Sequence, residues 1–597
     1  MLKKILLPVI FGILTYGFWI SPDFKEIAAG VAIFLFGMLS LEEGFKAFSG
    51  GLLEKILKNS TDKTWKSLAF GVVSTTIMQS SSLVSILTIS FISAGLIGLA
   101  QGIGIIFGAN VGTTTGAWLI AGLGMKVDIA SYAMPMLVFG IILIFQKSKA
   151  FKGIGYILAG LGFLFLGIHY MKEGFEAFKS TIDLASFAVD GIKGLLIFTA
   201  IGIFATVVMQ SSHATLVLII TALSAGQISY ENALALAIGA NVGTTITAII
   251  GSLSSNIEGK RLAGAHLIFN LVTGLFAIIF IYPIINLVDF TSSFVGIAND
   301  DYTLKLAVFH TIFNLIGVVI MIPFINKLVF FLENTFKSSN SKDDKSFDNV
   351  KYLNDSVLEL SSTAMAAIVR ETKHLYENAF EIITHGLNLK RSYVVSSMSL
   401  EDVLQEKFSD KAIDIDDYYN RFIKGIYSDI IIFSTKAQSQ MTPEVIEDLY
   451  KIKLANRDIV EAVKDTKHLQ KNLVKYLDNA NPYIKEQYNN IRKDLAEFLR
   501  NLNIVATTDE DDVILLTLSK MKVHTEKHDI VSNGVLDDLV RGGLITKEMA
   551  TSLMNDSAYA YDISKNLIAM AEVIFASKNT YIIMNNDDIR EIIQEGV

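Results

Sequence analysis

Long uncharged runs alternate with short polar breaks up to about Phe331, and beyond Ser338 the chain becomes charged sequence with a helical period. The apolar runs fall at about 5–20, 28–45, 67–95, 99–121, 130–146, 153–171, 195–225, 230–251, 262–288 and 305–334. A membrane-spanning helix needs roughly 20 apolar residues. The runs 67–95 and 195–225 are longer, and each is broken in its middle by Gln-Ser-Ser. Irregular backbone at that depth is tolerated only where it lines a cavity or is buried in protein. Both runs are therefore expected to be re-entrant hairpins or broken helices, which leaves eight full crossings.

The breaks repeat. Met78-Gln79-Ser80-Ser81-Ser82 returns 131 residues later as Met209-Gln210-Ser211-Ser212-His213. Each is followed, 29 positions after its Gln, by one phrase: Gly108-Ala109-Asn110-Val111-Gly112-Thr113-Thr114, then Gly239-Ala240-Asn241-Val242-Gly243-Thr244-Thr245. Upstream, Phe34-Leu35-Phe36-Gly37 leading to Glu43-Gly44-Phe45-Lys46-Ala47-Phe48 matches Phe163-Leu164-Phe165-Leu166-Gly167 leading to Glu173-Gly174-Phe175-Glu176-Ala177-Phe178. From the end of one leader helix to the end of the next there are three crossings, 99–121, 130–146 and 153–171, so the copies are expected to insert with opposite orientation, as in many secondary transporters. Packing of small residues alone accounts for Ser and Gly. It does not account for Gln and Asn recurring at one offset, since buried amides are costly unless satisfied.

The expected fold is all-α: a polytopic membrane domain with inverted repeats and two re-entrant or broken helical hairpins, followed by a soluble helical-bundle domain. Its boundaries are read as 1–336 for the membrane domain, with repeat 1 at about 28–121, repeat 2 at about 153–251 and extra helices at 262–288 and 305–334. A polar linker at 337–349 leads to a cytosolic helical domain at 350–597, with amphipathic helices over Ile452–Leu473 and Leu515–Val531.

Loop charge sets the orientation. Lys55, Lys58, Lys63 and Lys66, then Lys147, Lys149 and Lys152, then Lys260 and Arg261 fall on one side, whereas the 289–302 loop carries Asp289, Asp300 and Asp301. Lysine-rich loops stay inside, which puts both termini in the cytoplasm of a multi-pass protein of the inner (plasma) membrane. Lys172, Lys179 and Lys193 in the 172–194 loop run against this pattern. The start of the chain is read as a retained first helix, because Trp19-Ile20-Ser21-Pro22 offers no small-x-small cleavage site.

Composition narrows the chemistry. The net charge of −8 argues against nucleic-acid binding, and the absence of cysteine excludes disulfides and thiolate chemistry. No nucleophile–base constellation, phosphate-cradling loop or metal-ligand spacing appears, so an enzyme is not expected. Glu42 and Glu43 close a crossing, where snorkelling suffices, and no other carboxylate suited to proton coupling is evident. A sodium site needs only neutral oxygens. Thr75, Ser82, Asn110, Thr113 and Thr114 with Asn241, Thr244 and Thr245 supply that set. With no arginine in a span, an anion would be held by helix N-termini, hydroxyls and Gln amides, and sodium would balance its charge. His266 and Asn270, like His310 and Asn314, sit four apart on a helix face. Interhelical hydrogen bonding is the expected role for these, and for His169. The residues alone thus point to a sodium-coupled carrier of a small anionic solute.

Two Gln-Ser-Ser motifs, each followed by Gly-Ala-Asn-Val-Gly-Thr-Thr, resemble the sodium-dependent phosphate cotransporter family, the type II Na/Pi carriers and their bacterial branch. The resemblance covers roughly 30–330. It implies inorganic phosphate as cargo, Na+ as coupling ion, and alternating access. It also implies that Gln79, Ser80, Ser81, Gln210, Ser211, Ser212 and His213 contact the substrate. The tail resembles the PhoU phosphate-regulatory proteins at Leu553-Met554-Asn555-Asp556-Ser557-Ala558-Tyr559, which implies a regulatory role. Asp458, Glu461 and Asp465 echo PhoU metal ligands only in part, and no metal site is expected there. His213 stands where the family usually has a third serine. An imidazole there could hydrogen-bond phosphate, add pH sensitivity, or mark a different oxyanion. Phosphate export and a membrane-anchored phosphate sensor are the alternative functions. Homo-oligomerisation is compatible with the sequence but not specified by it.

Overall fold

The computed structural model describes residues 2–49, 63–124, 130–181, 188–337, 347–406, 408–409, 411–508, 510–527 and 534–576. Lys55, Lys58 and most of the 337–349 linker lie outside the described residues. The chain forms two compact units, Met1–Ser338 and Ser339–Val597. Both are helical, and the described residues contain no strand.

The first unit runs α1 (Leu2–Ile20), α2 (Pro22–Ser49), α3 (Thr64–Met78), α4 (Ser81–Ser93), α5 (Leu99–Trp118), α6 (Ala130–Ile144), α7 (Lys149–Thr181), α8 (Gly191–Met209), α9 (Ser212–Ser224), α10 (Tyr230–Gly243), α11 (Thr245–Ser252), α12 (Ile257–Ile279), α13 (Ile281–Phe294), α14 (Tyr302–Met321) and α15 (Ile325–Thr335). Seven stretches are long and apolar enough to cross a membrane: 22–45, 99–122, 150–177, 191–209, 230–252, 257–279 and 302–335. The unit is an integral membrane domain.

The crossings differ from expectation in several places, and 191–209, the first arm of the expected second hairpin, is itself long and apolar enough to cross. The 130–146 segment becomes the 15-residue α6, about 22 Å long and short of the roughly 30 Å hydrocarbon core. The 262–288 segment breaks at Phe280, between α12 and α13. Pro283 explains the break, because its ring clashes with the carbonyl four residues back, at Ile279. The expected 172–194 loop is largely helix: α7 continues to Thr181 and α8 starts at Gly191, so Lys172, Lys179 and Lys193 all lie on helices.

The leader helices of the two repeats, α2 and α7, pack along each other through glycines. A methyl group added at Gly37 would lie 2.6 Å from Leu164 N, one at Gly30 would lie 2.7 Å from Met171 N, and one at Gly44 would lie 2.9 Å from Ile157 N. As the α2 number rises the α7 number falls, so these corresponding helices run antiparallel. Backbones this close leave room for Cα–H···O contacts and dispersion to hold the pair.

The glycine phrases lie on the most enclosed helices. Of the apolar stretches, 78% is buried in 99–122 and 83% in 230–252, against 33% in 22–45 and 28% in 191–209. Phe36, Phe139, Phe204, Leu275 and Val319 face outward from α2, α6, α8, α12 and α14, as a lipid-facing shell requires. The second helix of each hairpin sits in a core of its own. Ile89 and Ile92 of α4 pack with Ile103, Phe107 and Phe269. Leu216, Val217 and Ile220 of α9 pack with Phe309 and Phe313.

In the second unit, α16 (Ser361–Gly386), α17 (Pro443–Leu477), α18 (Pro482–Thr507), α19 (Asp511–Lys527) and α20 (Lys547–Ala571) are the long helices. α17 contains the expected Ile452–Leu473 helix. α19 covers Leu515 to Lys527, and Lys527 is the last described residue of the expected Leu515–Val531 helix. The Leu553–Tyr559 stretch lies in α20, where Asp556 is fully buried and accepts hydrogen bonds from Tyr488 Oη and Asn472 Nδ2. Among the described residues no three His, Asp or Glu side chains converge to hold a metal ion.

Asp465 on α17 is pushed up to about 6 by desolvation, with repulsion from Asp562 and Glu461 adding to it. A carboxyl raised in the folded state binds more protons folded than unfolded between roughly pH 4 and 6, so its contribution falls as pH rises through that window. Asp465→Asn is expected to raise the melting temperature at pH 7 and leave it nearly unchanged at pH 4. A thermal melt at the two pH values checks this.

Candidate functional site

Each hairpin is made by the same two residues. α3 ends because Gln79 takes the left-handed conformation (φ 51°), and α8 ends because Gln210 does (φ 53°). Apart from glycines, only Asn388 shares that conformation among the described residues. A side-chain-bearing residue there costs on the order of 1–2 kcal/mol, so both turns are held by their surroundings. The next residue starts a new helix. Ser80 caps α4 by accepting from Leu83 N at 3.2 Å, and Ser211 caps α9 by accepting from Ala214 N at 3.2 Å. α4 and α9 have 13 residues each, about 20 Å, so each runs only part of the way through a bilayer. At their N-termini the amides of Ser81, Ser82, Ser212 and His213 have no acceptor within their own helix.

Four contacts tie the two turns to neighbouring helices. Glu42 Oε1 accepts from Ser80 Oγ at 2.5 Å, while Met38, one helical turn earlier on α2, meets Ser211 Oγ at 3.5 Å. Thr247, just past the second glycine phrase, is hydrogen-bonded to Ser82 at 3.2 Å. His213 lies against Gly116, where an added methyl group would overlap its Nε2 and fall 3.0 Å from Gln79 Oε1. Each hairpin therefore packs against the helix at the end of the other half's glycine phrase, α4 against α11 and α9 against α5. Glu42 is a correction to the sequence reading, because it reaches a turn serine instead of snorkelling to an interface. Thr247, Gly116 and Met38 were not singled out either. The only sequence signal for Gly116 and Thr247 is that they occupy equivalent places in the repeat.

The two halves are not equal in polar detail. The Gln79 side-chain amide donates to Thr115 Oγ1 at 3.1 Å and to Thr76 O at 2.5 Å. Ile246 is the repeat counterpart of Thr115, and Gln210 is exposed. Thr206 donates to Thr215 Oγ1 at 2.9 Å, whereas its counterpart Thr75 is fully buried and its hydroxyl has no partner. Ser80, Ser81, Ser212 and His213 are buried, and Ser82 and Ser211 are partly so. His213 Nε2 is buried without a hydrogen-bond partner.

Of the expected sodium ligands, Thr113, Thr114, Thr244 and Thr245 donate to carbonyls of their own helices, at Ala109, Val111, Ala240 and Val242. That leaves their oxygens as acceptors. Asn110 directs its Nδ2 to Ile106 O at 2.9 Å. Asn241 departs from expectation, because both ends of its amide are engaged by α14. Its Nδ2 donates to Asn314 Oδ1 at 2.7 Å and its Oδ1 pairs with His310 Nε2 at 3.1 Å. It is an interhelical fastener, the role expected of His310 and Asn314. Asn314→Ala would strand the buried Asn241 amide at a cost of about 1–3 kcal/mol. Denaturation in detergent should show that loss, with Asn334→Ala, an exposed position, unchanged.

A model of the Na+/Pi-cotransporter family matches residues 33–173 and 186–299, so both turns and both glycine phrases lie within the match. The membrane unit is thus similar to the Na+/Pi-cotransporter family over most of its length. YjbB of Escherichia coli (strain K12), provisionally named an inorganic phosphate export protein, is 27% identical over 367 residues, which are 61% of this chain and 64% of that protein. YjbB of Salmonella typhimurium, with the same provisional name, is 27% identical over 366 residues, 61% of this chain and 64% of that protein. YqeW of Bacillus subtilis (strain 168), an uncharacterized protein, is 27% identical over 304 residues, 50% of this chain and 94% of that protein. The chain thus spans just under two thirds of the length of the YjbB relatives. No solved structure matches it at a significant level.

Proposed function

We propose that the membrane unit carries inorganic phosphate across the inner (plasma) membrane with sodium as the coupling ion. The observation that carries this reading is that two serine-capped helix N-termini, α4 and α9, both reach α2 one helical turn apart, Ser80 at Glu42 and Ser211 at Met38. A helix N-terminus offers oriented N–H groups and partial positive charge to a tetrahedral anion. Ser80, Ser81, Ser211, Ser212, Gln79, Gln210 and His213 hold phosphate between the turns. The match to the Na+/Pi-cotransporter family supports the cargo and the cation.

Sodium is held by oxygens near the same turns. The buried, unpartnered Thr75 hydroxyl supports this, as do the acceptor-only oxygens of Thr113, Thr114, Thr244 and Thr245, with Asn110 and Ser82 beside them. Asn241 is a positioning residue in this scheme, and the Glu42 carboxylate beside Ser80 supplies negative charge that a cation would balance. The antiparallel leaders α2 and α7 fit two oppositely inserted repeats that rock about the site in alternating access. Both termini are cytoplasmic, and the helical unit, PhoU-like in its sequence, regulates flux. The protein is a carrier and not an enzyme.

Purified full-length protein in vesicles is expected to move radiolabelled phosphate when a sodium gradient is present. Equal flux in potassium alone would refute coupling. A chain lacking 340–597 should still carry phosphate. The names of the YjbB relatives favour export as a second reading. The same residues serve it, and cellular phosphate with and without the protein distinguishes the direction.

A further inference from the structure

Two of the cross-repeat contacts are the same contact, made twice with different side chains. Ser82 and His213 are equivalent positions 131 residues apart, and so are Gly116 and Thr247. In one half the small Ser82 on the hairpin meets Thr247 on the helix, hydroxyl to hydroxyl at 3.2 Å. In the other, the large His213 on the hairpin meets Gly116, which has no side chain. The bulk and the polar group have moved from the helix to the hairpin. Gly116 is what admits the ring: any Cβ there would overlap His213 Nε2 and Cδ2. Gly116 lies within a helix, so no left-handed backbone requires glycine there.

The exchange also changes what faces the turns. In the Ser82 half the hydroxyls are satisfied, with Thr247 Oγ1 bonded to Thr244 O at 2.8 Å as well as to Ser82. In the His213 half the ring nitrogen Nε2 is buried with no partner, beside the Gln79 amide whose nitrogen is already engaged by Thr115 and Thr76. Leaving a buried nitrogen in that state is costly, and a bound group that pairs with it would recover that cost.

We infer that Gly116 is a specificity-determining residue, acting through His213. Its missing side chain lets the imidazole reach the Gln79 side of the site and offer Nε2 to one oxygen of a tetrahedral oxyanion. Thr247 and Ser82 shape the opposite side. The inference rests on the reading of these turns as an oxyanion site. It adds that the two sides recognise the anion differently, with a ring nitrogen on one and hydroxyls on the other.

The test is an exchange in the full-length protein. Gly116→Thr, His213→Ser and the double variant are purified in detergent, melted, and reconstituted for phosphate uptake with arsenate as competitor. Gly116→Thr alone is expected to lower the melting temperature and cut uptake about tenfold or more, since overpacking a close contact displaces the turn. The double variant rebuilds the Ser–Thr contact of the other half. It should regain most of the lost melting temperature and several-fold more uptake than Gly116→Thr. His213→Ser alone should keep the fold, raise the KM for phosphate several-fold and weaken discrimination against arsenate.

A double variant that melts no higher than Gly116→Thr would overturn the exchange. His213→Ser with unchanged KM and unchanged arsenate competition would reduce the pair to packing and overturn the specificity role. Failure of the wild-type protein to carry phosphate at all would instead strike the transport reading, and the melting comparison would still decide whether the exchange is real.

Discussion

Gln79→Ala brings sodium-driven phosphate flux down to the protein-free background, and Gln210→Ala does the same, but only the first also lowers thermal stability. Both glutamines form the left-handed turn that opens a helix N-terminus, so each positions the helix amides and serine that would meet the anion. A site built to hydrogen-bond its substrate loses about a hundredfold or more when such a group goes. The stability difference follows from the neighbours. Gln79 ties the first turn to Thr115 Oγ1 and Thr76 O, and losing those bonds costs about 1 kcal/mol. Gln210 is exposed and faces a repeat whose equivalent position is Ile246, so alanine removes no such tie. Flux and melting are measured on the same preparations. Wild-type flux from Gln210→Ala would show that the second turn takes no part in binding.

Gly108→Ala and Gly239→Ala are expected to prevent recovery of monodisperse protein. An added Cβ at Gly108 would overlap Leu68 O, and one at Gly239 would overlap Thr199 O. Both obstacles are backbone carbonyls fixed in helices α3 and α8, so no side chain can rotate away. The helices must move apart, and overpacking typically costs about 1–3 kcal/mol where a core can adjust, and more where it cannot. Gly122→Ala is the control, because nothing lies within 4 Å of its added Cβ. Size-exclusion profiles of the three variants decide it. Normal yield and melting from Gly108→Ala would mean that α3 and α5 are less closely packed than described.

The hairpins were legible in the sequence because a polar Gln-Ser-Ser inside a long apolar run has few physical outcomes, and the break at Gln79 and Gln210 is one of them. The leaders α2 and α7 do run antiparallel, but the count of crossings that led to that expectation included 130–146, which forms only the short α6. What decides the site's asymmetry was not legible. Gly116 and Thr247 matter only because tertiary packing sets each hairpin against the other half's helix, and no local pattern announces that. Sequence repetition made Asn241 look like a second Asn110, but α14 supplies His310 and Asn314 to one and not the other. Glu42 looked interfacial because hydropathy places a residue by depth and cannot say which neighbour it meets. Segment ends slipped where Pro283 divides an apolar run and where α7 continues as helix through Lys172 and Lys179.

The central claim is that the two turns form one anion site. An experimental structure of the full-length protein with sodium and phosphate tests it most directly. One phosphate is expected between the N-termini of α4 and α9, touching Ser80 or Ser81 on one side and Ser211 or Ser212 on the other. Phosphate bound to a single turn, or away from both, would contradict the account.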